Sequence, residues 1–263
     1  MKIGLLNLAL QLKSNGTFKN VKKIMDMGTK ALRVKYEDIE FAFNQTKIPF
    51  NKKKFNFLKK FPKGKRQSTK LFWQELNINE YQCMDINKEE GSIFCDMNQP
   101  FNDKNHMSKY DLVMDFGNNE HVFNVGEAYK TMYKLCNKGG YLWIFQSVFN
   151  GNGFFQFDIA FFEGMALANK MGIIHASYIV CTNDYDQFLI PADKDLFNTL
   201  DLTKVKSVDI TYVFKKTNSD EFKYYYQYNL KDNKKTYSIN FLTKNFPPER
   251  YYIQTKSIKD IKK

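Results

Sequence analysis

Between Tyr110 and Gln146 the chain reads YDLVMDFGNNEHVFNVGEAYKTMYKLCNKGGYLWIFQ, an order that few folds accommodate. An apolar run ends at Phe116-Gly117 and gives way to the polar turn Asn118-Asn119-Glu120-His121. Val125, Ala128, Tyr129, Met132, Tyr133 and Leu135 then recur at the spacing of one helix face. The helix is expected to stop at Gly139-Gly140, where a second apolar run, YLWIF, begins. Strand, helix and strand in this order make a parallel α/β unit. Ligands of open parallel sheets bind outside the carboxyl ends of the strands, so the turn after Phe116 is the first place to look for chemistry.

The flanking sequence extends this pattern. Residues 1–27 read as one or two short helices with Leu5, Leu6, Leu8, Leu10, Val21, Ile24 and Met25 buried. Residues 31–41 (ALRVKYEDIEF) read as a strand and turn, and residues 44–67 as a basic, loop-rich insertion. Ser68-Thr69 caps a helix containing Leu71, Phe72, Trp73 and Leu76. Two strands follow, 80–86 and 92–98, joined by a tight polar connection at 88–91, and each has an acid near its end, Asp85 and Asp96. Downstream, Asp158 caps a helix over 159–170 that Gly172 ends. Residues 173–181 form a strand, 183–206 a polar excursion and 208–217 a final strand, the two late strands pairing antiparallel at the sheet edge. The expected organisation is one domain over 1–217, with the insertion at 44–67, and a Tyr- and Lys-rich arm over 218–263.

Composition sets further bounds. No apolar run reaches the roughly 20 residues needed to span a bilayer. The opening MKIGLLNLALQLKSNG lacks a small-residue cleavage site, so an amphipathic first helix is expected rather than a signal peptide. Cys83, Cys95, Cys136 and Cys181 show no CxxC pair and no histidine at ligand spacing, so no metal is expected and a reducing, cytoplasmic setting fits best. The net charge of +12 is concentrated in Lys52, Lys53, Lys54, Lys59, Lys60, Lys63, Lys65, Arg66 and Lys70, with Phe55, Phe57, Phe61 and Pro62 interleaved. Such a stretch can grip phosphates and stack bases. It can equally be a solvated loop that rests its aromatics on the core.

Four segments together resemble a class I S-adenosylmethionine-dependent methyltransferase, over about residues 68–172. They are Asp96-Met97-Asn98-Gln99-Pro100, the run from Tyr110 to Asn124, Leu135-Cys136-Asn137-Lys138-Gly139-Gly140, and Gly153-Phe154-Phe155-Gln156-Phe157. The resemblance implies a Rossmann-like α/β sheet, mostly parallel with an antiparallel edge strand, and helices on both faces. It implies S-adenosylmethionine as cofactor, with Asp85 accepting the ribose hydroxyls, Asp96 the adenine amino group and the Met97 backbone beside the ring. Phe116, Gly117 and Asn118 would pass under the methionine moiety. If the acceptor is a hydroxyl, His121 is the candidate general base, with Glu120 orienting it. Asn150, Asn152 and Gln156 could line a polar acceptor site. His106 falls in a loop, and His175 in a strand where burial is expected. The implied acceptor is a small molecule or saccharide.

One departure stands against this. Such folds carry a glycine-rich turn after the first strand, whereas the strand expected at 31–38 ends in Lys35, Tyr36, Glu37 and Asp38, whose side chains would fill the cofactor's space. The alternative is therefore a catalytically degenerate fold serving as a binding or scaffold protein, with nucleic acid as a less favoured partner.

Overall fold

In the computed structural model, residues 1–61, 63, 67–87, 91–183 and 186–225 are described. Helices α1 (Ile3–Ser14), α2 (Tyr36–Thr46), α3 (Lys70–Glu75), α4 (Val125–Leu135), α5 (Ile159–Ala168) and α6 (Lys194–Asn198) alternate with eight strands. The strands are β1 (Lys23–Met27), β2 (Glu80–Asp85), β3 (Ile93–Phe94), β4 (Tyr110–Phe116), β5 (Cys136–Phe149), β6 (Gly172–Cys181), β7 (Gln187–Pro191) and β8 (Ser207–Lys215). They form one sheet in the order β3-β2-β1-β4-β5-β8-β6-β7.

The first five strands run parallel, with Ile24 opposite both Tyr81 and Leu112 and Met114 opposite Trp143. β8 lies antiparallel between β5 and β6, and β7 pairs antiparallel with β6. The chain moves outward from β1 to β3 and then returns to the other side of β1 as β4. That reversal is the topological switch point of a doubly wound sheet. The expected Rossmann-like, mostly parallel sheet is therefore present; the two late strands, β6 and β8, pair antiparallel as expected, and β7 adds a further antiparallel strand at the edge.

Strand residues alternate between two faces, and each face has its own core. Val113, Leu142 and Ile144 pack with Tyr129, Met132, Phe162 and Met165 of α4 and α5. Leu112, Met114 and Trp143 pack with Leu6, Leu10, Ile39, Phe43 and Phe72 of α1, α2 and α3. α1 forms as expected but is buried nearly all round, from Ile3 to Leu10, and a helix apolar on every side belongs inside a protein.

Several expectations are corrected. The first strand is β1, where a helix was expected; the segment at 31–41 contributes α2 instead. Glu37 and Asp38 fall in the first turn of α2, where carboxylates favour the helix dipole, and Ile39, Ala42 and Phe43 give it a buried face. β3 keeps only two residues of the expected 92–98 strand. α4 ends at Leu135, so Gly139 and Gly140 lie inside β5. Lys170, not Gly172, takes the left-handed conformation after α5 (φ 51°). The supposed excursion holds β7 and α6.

In the basic insertion, residues Lys52–Lys60 form 3₁₀ turns that bury Phe55 and Leu58. Phe55 packs 5.1 Å from Phe50, while Lys52 pairs with Glu40 at 2.5 Å and Lys54 with Glu75 at 3.0 Å. Two of its apolar side chains thus rest on the core, as the solvated-loop reading expects. Pro62, Lys65 and Arg66, most of the 88–91 connection, and residues 226–263 of the arm lie outside the described residues. The described start of the arm packs on α4 and α5, with Phe222 against Tyr133 (5.6 Å) and Tyr225 against Phe161 (5.7 Å).

Lys216 fastens this region. It is 3% exposed, and its ammonium donates to the Tyr133 and Cys136 carbonyls at 2.8 Å each, capping the last turn of α4. Lys216→Met should cost about 2–3 kcal/mol in urea denaturation, because two buried carbonyls lose a charged donor. A loss under about 0.5 kcal/mol would mean that water replaces it freely.

Candidate functional site

The turn after β1 is Gly28-Thr29-Lys30. Gly28 is left-handed (φ +105°), and its N–H donates to the Met84 carbonyl at 2.7 Å. A Cβ there would run into the side chain of Asn118. The first-strand turn thus has a required glycine after all, although Lys30 and Leu32 stand where a glycine-rich turn would continue. Tyr36 fills no cofactor space. Its ring lies 6.2 Å from Phe50 and beneath the Lys59 ammonium (4.8 Å), within the core of α1 and α2.

Acids line the carboxyl edge. Asp26, on β1, is buried, and its Oδ2 accepts from the Tyr81 hydroxyl at 2.8 Å. Its Oδ1 has no hydrogen-bond partner among the described residues. Burial pushes its pKa up to about 6, against the opposing charge of Lys30. Asp85 ends β2 and accepts from the Thr29 N–H (2.9 Å), the Thr29 hydroxyl (3.1 Å) and the Asn87 N–H (3.1 Å). Burial raises its pKa, but these hydrogen bonds and Lys30 outweigh it and hold the group below its usual value. Asp96 follows β3 and accepts from the Asn98 backbone (2.9 Å) and side chain (3.1 Å). Met97 is buried in the same core as Met27 and Met84.

The turn after β4 faces the turn after β1. Phe116 packs edge-on to Trp143 at 5.0 Å. Gly117 is left-handed (φ +75°), with its N–H on the Phe145 carbonyl at 2.8 Å. The Asn118 amide donates to the Met27 carbonyl and accepts from the Lys30 ammonium, so one side chain spans both turns. Beneath it Asp115, fully buried, accepts from the Asn118 N–H at 2.9 Å and from the Gln146 amide. Burial pushes Asp115 up to about 7.

Glu120 is buried, with Oε2 accepting the Ser147 N–H at 2.8 Å and Oε1 3.6 Å from Nε2 of His121. The His121 side chain is 46% exposed at a cleft of about 460 Å³. Thr29, Lys30, Phe116, Gly117, Glu120, Asn150 and Asn152 share that cleft. Asp85, Asp96 and Met97 are not on its walls; Asp85 reaches it through Thr29. Gln156 lines a separate aromatic cavity of about 500 Å³ between α4 and α5.

Asp209, on β8, also lines the cleft and was missed from sequence, as were Asp26 and Asp115. Burial pushes Asp209 up to about 7, with Lys2 opposing and Glu120 adding to the rise. His106 instead pairs with the Tyr110 hydroxyl at 2.6 Å. His175 is buried beside Ser177 (2.6 Å), and burial pulls it down to about 3, so it stays neutral. The four cysteines are buried free thiols. Among the described residues no helix is long and apolar enough to cross a membrane.

No family model and no curated protein matches the chain. Among solved structures it is similar to a SAM-dependent methyltransferase of Archaeoglobus fulgidus: 12% identity, 82% of this chain and 95% of that one, TM-score 0.42. It is also similar to a phosphoethanolamine N-methyltransferase of Haemonchus contortus, in complex with phosphomonomethylethanolamine and S-adenosylhomocysteine: 10% identity, 81% and 52% coverage, TM-score 0.40. A third likeness is to 1,6-didemethyltoxoflavin-N1-methyltransferase of Burkholderia thailandensis, with S-adenosylhomocysteine bound: 9% identity, 81% and 79% coverage, TM-score 0.34. These likenesses are distant, and the strand order alone carries the fold.

Proposed function

We propose that the chain is an S-adenosylmethionine-dependent methyltransferase acting on a small polar molecule or saccharide. One observation carries this reading. At the switch point two left-handed glycine turns, Gly28 and Gly117, face each other beside an edge of acids, and a polar cleft opens next to them. Thr29 and Lys30 of the first turn and Phe116 and Gly117 of the second share the walls of that cleft, so a ligand seated there would touch both turns.

When bound, S-adenosylmethionine supplies an activated methyl group. The rest falls to the chain's own side chains. Asp85 has both Thr29 bonds on Oδ2 and only the Asn87 N–H on Oδ1, so Oδ1 retains one acceptor position for a ribose hydroxyl. Asp96 serves the adenine amino group with the Met97 backbone beside it, and Phe116, Gly117 and Asn118 form the floor beneath the methionine portion. His121 takes the proton of the acceptor, and Glu120, fixed by the Ser147 N–H, orients the imidazole. Asn150 and Asn152 hydrogen-bond the acceptor, and Asp209 is a second base poised near neutrality. Such a site chiefly aligns two reactants.

A fold that binds without methylating is the second reading, favoured by the Asn118 side chain lying over Gly28. Nucleic acid is the less favoured partner: among the described residues of the basic segment, Lys52 and Lys54 are paired with acids and Phe55 is buried. Calorimetric titration tests the cofactor. Heat with a Kd at or below about 1 mM is expected, weakened about tenfold or more in Asp85→Ala through loss of charged hydrogen bonds. Absence of heat at millimolar ligand removes the proposal.

A further inference from the structure

Lys30 stands two residues after Gly28, on the wall of the cleft. Its ammonium donates to Oδ1 of Asn118, whose nitrogen donates to the Met27 carbonyl. The contact therefore bridges the end of β1 and the end of β4, across the switch point. The charge of Lys30 acts on three carboxylates at the ends of adjacent strands, Asp26, Asp85 and Asp115. A row of acids at this edge attracts positive charge, and here a side chain of the protein supplies it.

We propose that Lys30 is an internal counter-ion that sets the preference between donor and product, favouring the neutral thioether S-adenosylhomocysteine over the sulfonium S-adenosylmethionine. This rests on the nucleoside reading above. The two ligands differ by one methyl group and one unit of charge. Their ribose, adenine, α-amino and carboxylate groups are common, so the ratio of their affinities isolates the charge. Removing the lysine also releases Asn118, and Lys30→Gln, which offers Asn118 a partner without charge, separates that effect from the loss of charge. Like charges in a partly buried site repel enough to shift affinity about tenfold.

The test is calorimetric titration of wild type, Lys30→Met, Lys30→Gln and Lys30→Arg with each ligand. Wild type and Lys30→Arg should bind the thioether about tenfold more tightly than the sulfonium. Lys30→Met and Lys30→Gln should bring the ratio close to one, chiefly by tightening the sulfonium. Lys30→Gln keeps a hydrogen-bonding end for Asn118 and serves if circular dichroism shows Lys30→Met unfolded. An unchanged ratio in the neutral variants overturns the role of Lys30 and leaves the nucleoside site standing. No heat with either ligand in any variant overturns both.

Discussion

Gly28→Ala is expected to lower stability by about 3–4 kcal/mol, a large share of the roughly 5–15 kcal/mol that holds a typical domain together. Two causes add. A residue with a Cβ at φ +105° pays about 1–2 kcal/mol for the left-handed conformation. The new methyl group would also meet the Asn118 amide, and evicting it breaks the bonds to the Met27 carbonyl and Lys30, each worth about 1 kcal/mol. Gly16 is the control. It has a similar φ of +87°, but a Cβ there would meet nothing within 4 Å, so Gly16→Ala should cost about 1 kcal/mol. Urea denaturation of both variants measures the difference. Equal losses would show that Asn118 yields without cost and that the two turns are not interlocked.

Asp115→Asn should do the opposite at pH 8 and stabilise the protein, in a way that depends on pH. Folded Asp115 holds its proton up to about 7, against 3.8 for the free group. The stability linked to this group is full below about pH 4 and is lost as pH rises through 7, because the unfolded chain ionises first. Asparagine ionises in neither state, but its Nδ2 cannot accept from the Gln146 amide, so it carries a pH-independent cost of about 1 kcal/mol. Its stability relative to wild type should therefore start about 1 kcal/mol lower near pH 4 and rise by on the order of 3 kcal/mol by pH 8. A pH-independent difference in chemical denaturation would refute a buried carboxylate of raised pKa. A group this costly sits where its acceptors hold the Asn118 and Asn119 N–H groups, beneath the turn that forms the floor of the proposed nucleoside site.

Legibility from sequence followed the strength of local pattern. β4 and the apolar part of β5 stand out as apolar runs and α4 shows a clean period of 3.6, and the Asp158 cap is present, accepting the Ala160 N–H at 2.8 Å. β1 escaped because KIMDM has five residues, two of them charged, and follows another lysine. Its marker was Gly28, two residues after an acid in an otherwise apolar run. β7 escaped because its apolar QFLIP is set in polar sequence and ends at Pro191, which is tolerated on an edge strand. Of the proposed site, Gly117, Glu120 and His121 were visible because a turn after a strong strand is easy to find. Asp26, Asp115 and Asp209 were hidden because acids inside strands look like solvent-facing positions. What buries them is the meeting of strand ends far apart in the chain, which no local pattern records.

β8 is the last strand among the described residues, yet it sits in the interior of the sheet between β5 and β6. During synthesis at the ribosome, β5 and the β6–β7 hairpin therefore wait with open edges until residues 207–215 emerge. Open edges recruit strands from other chains, and a nascent chain that stalls before Ser207 would present two of them at once. Partly made chains of this protein are therefore expected to be more prone to aggregate than the finished one.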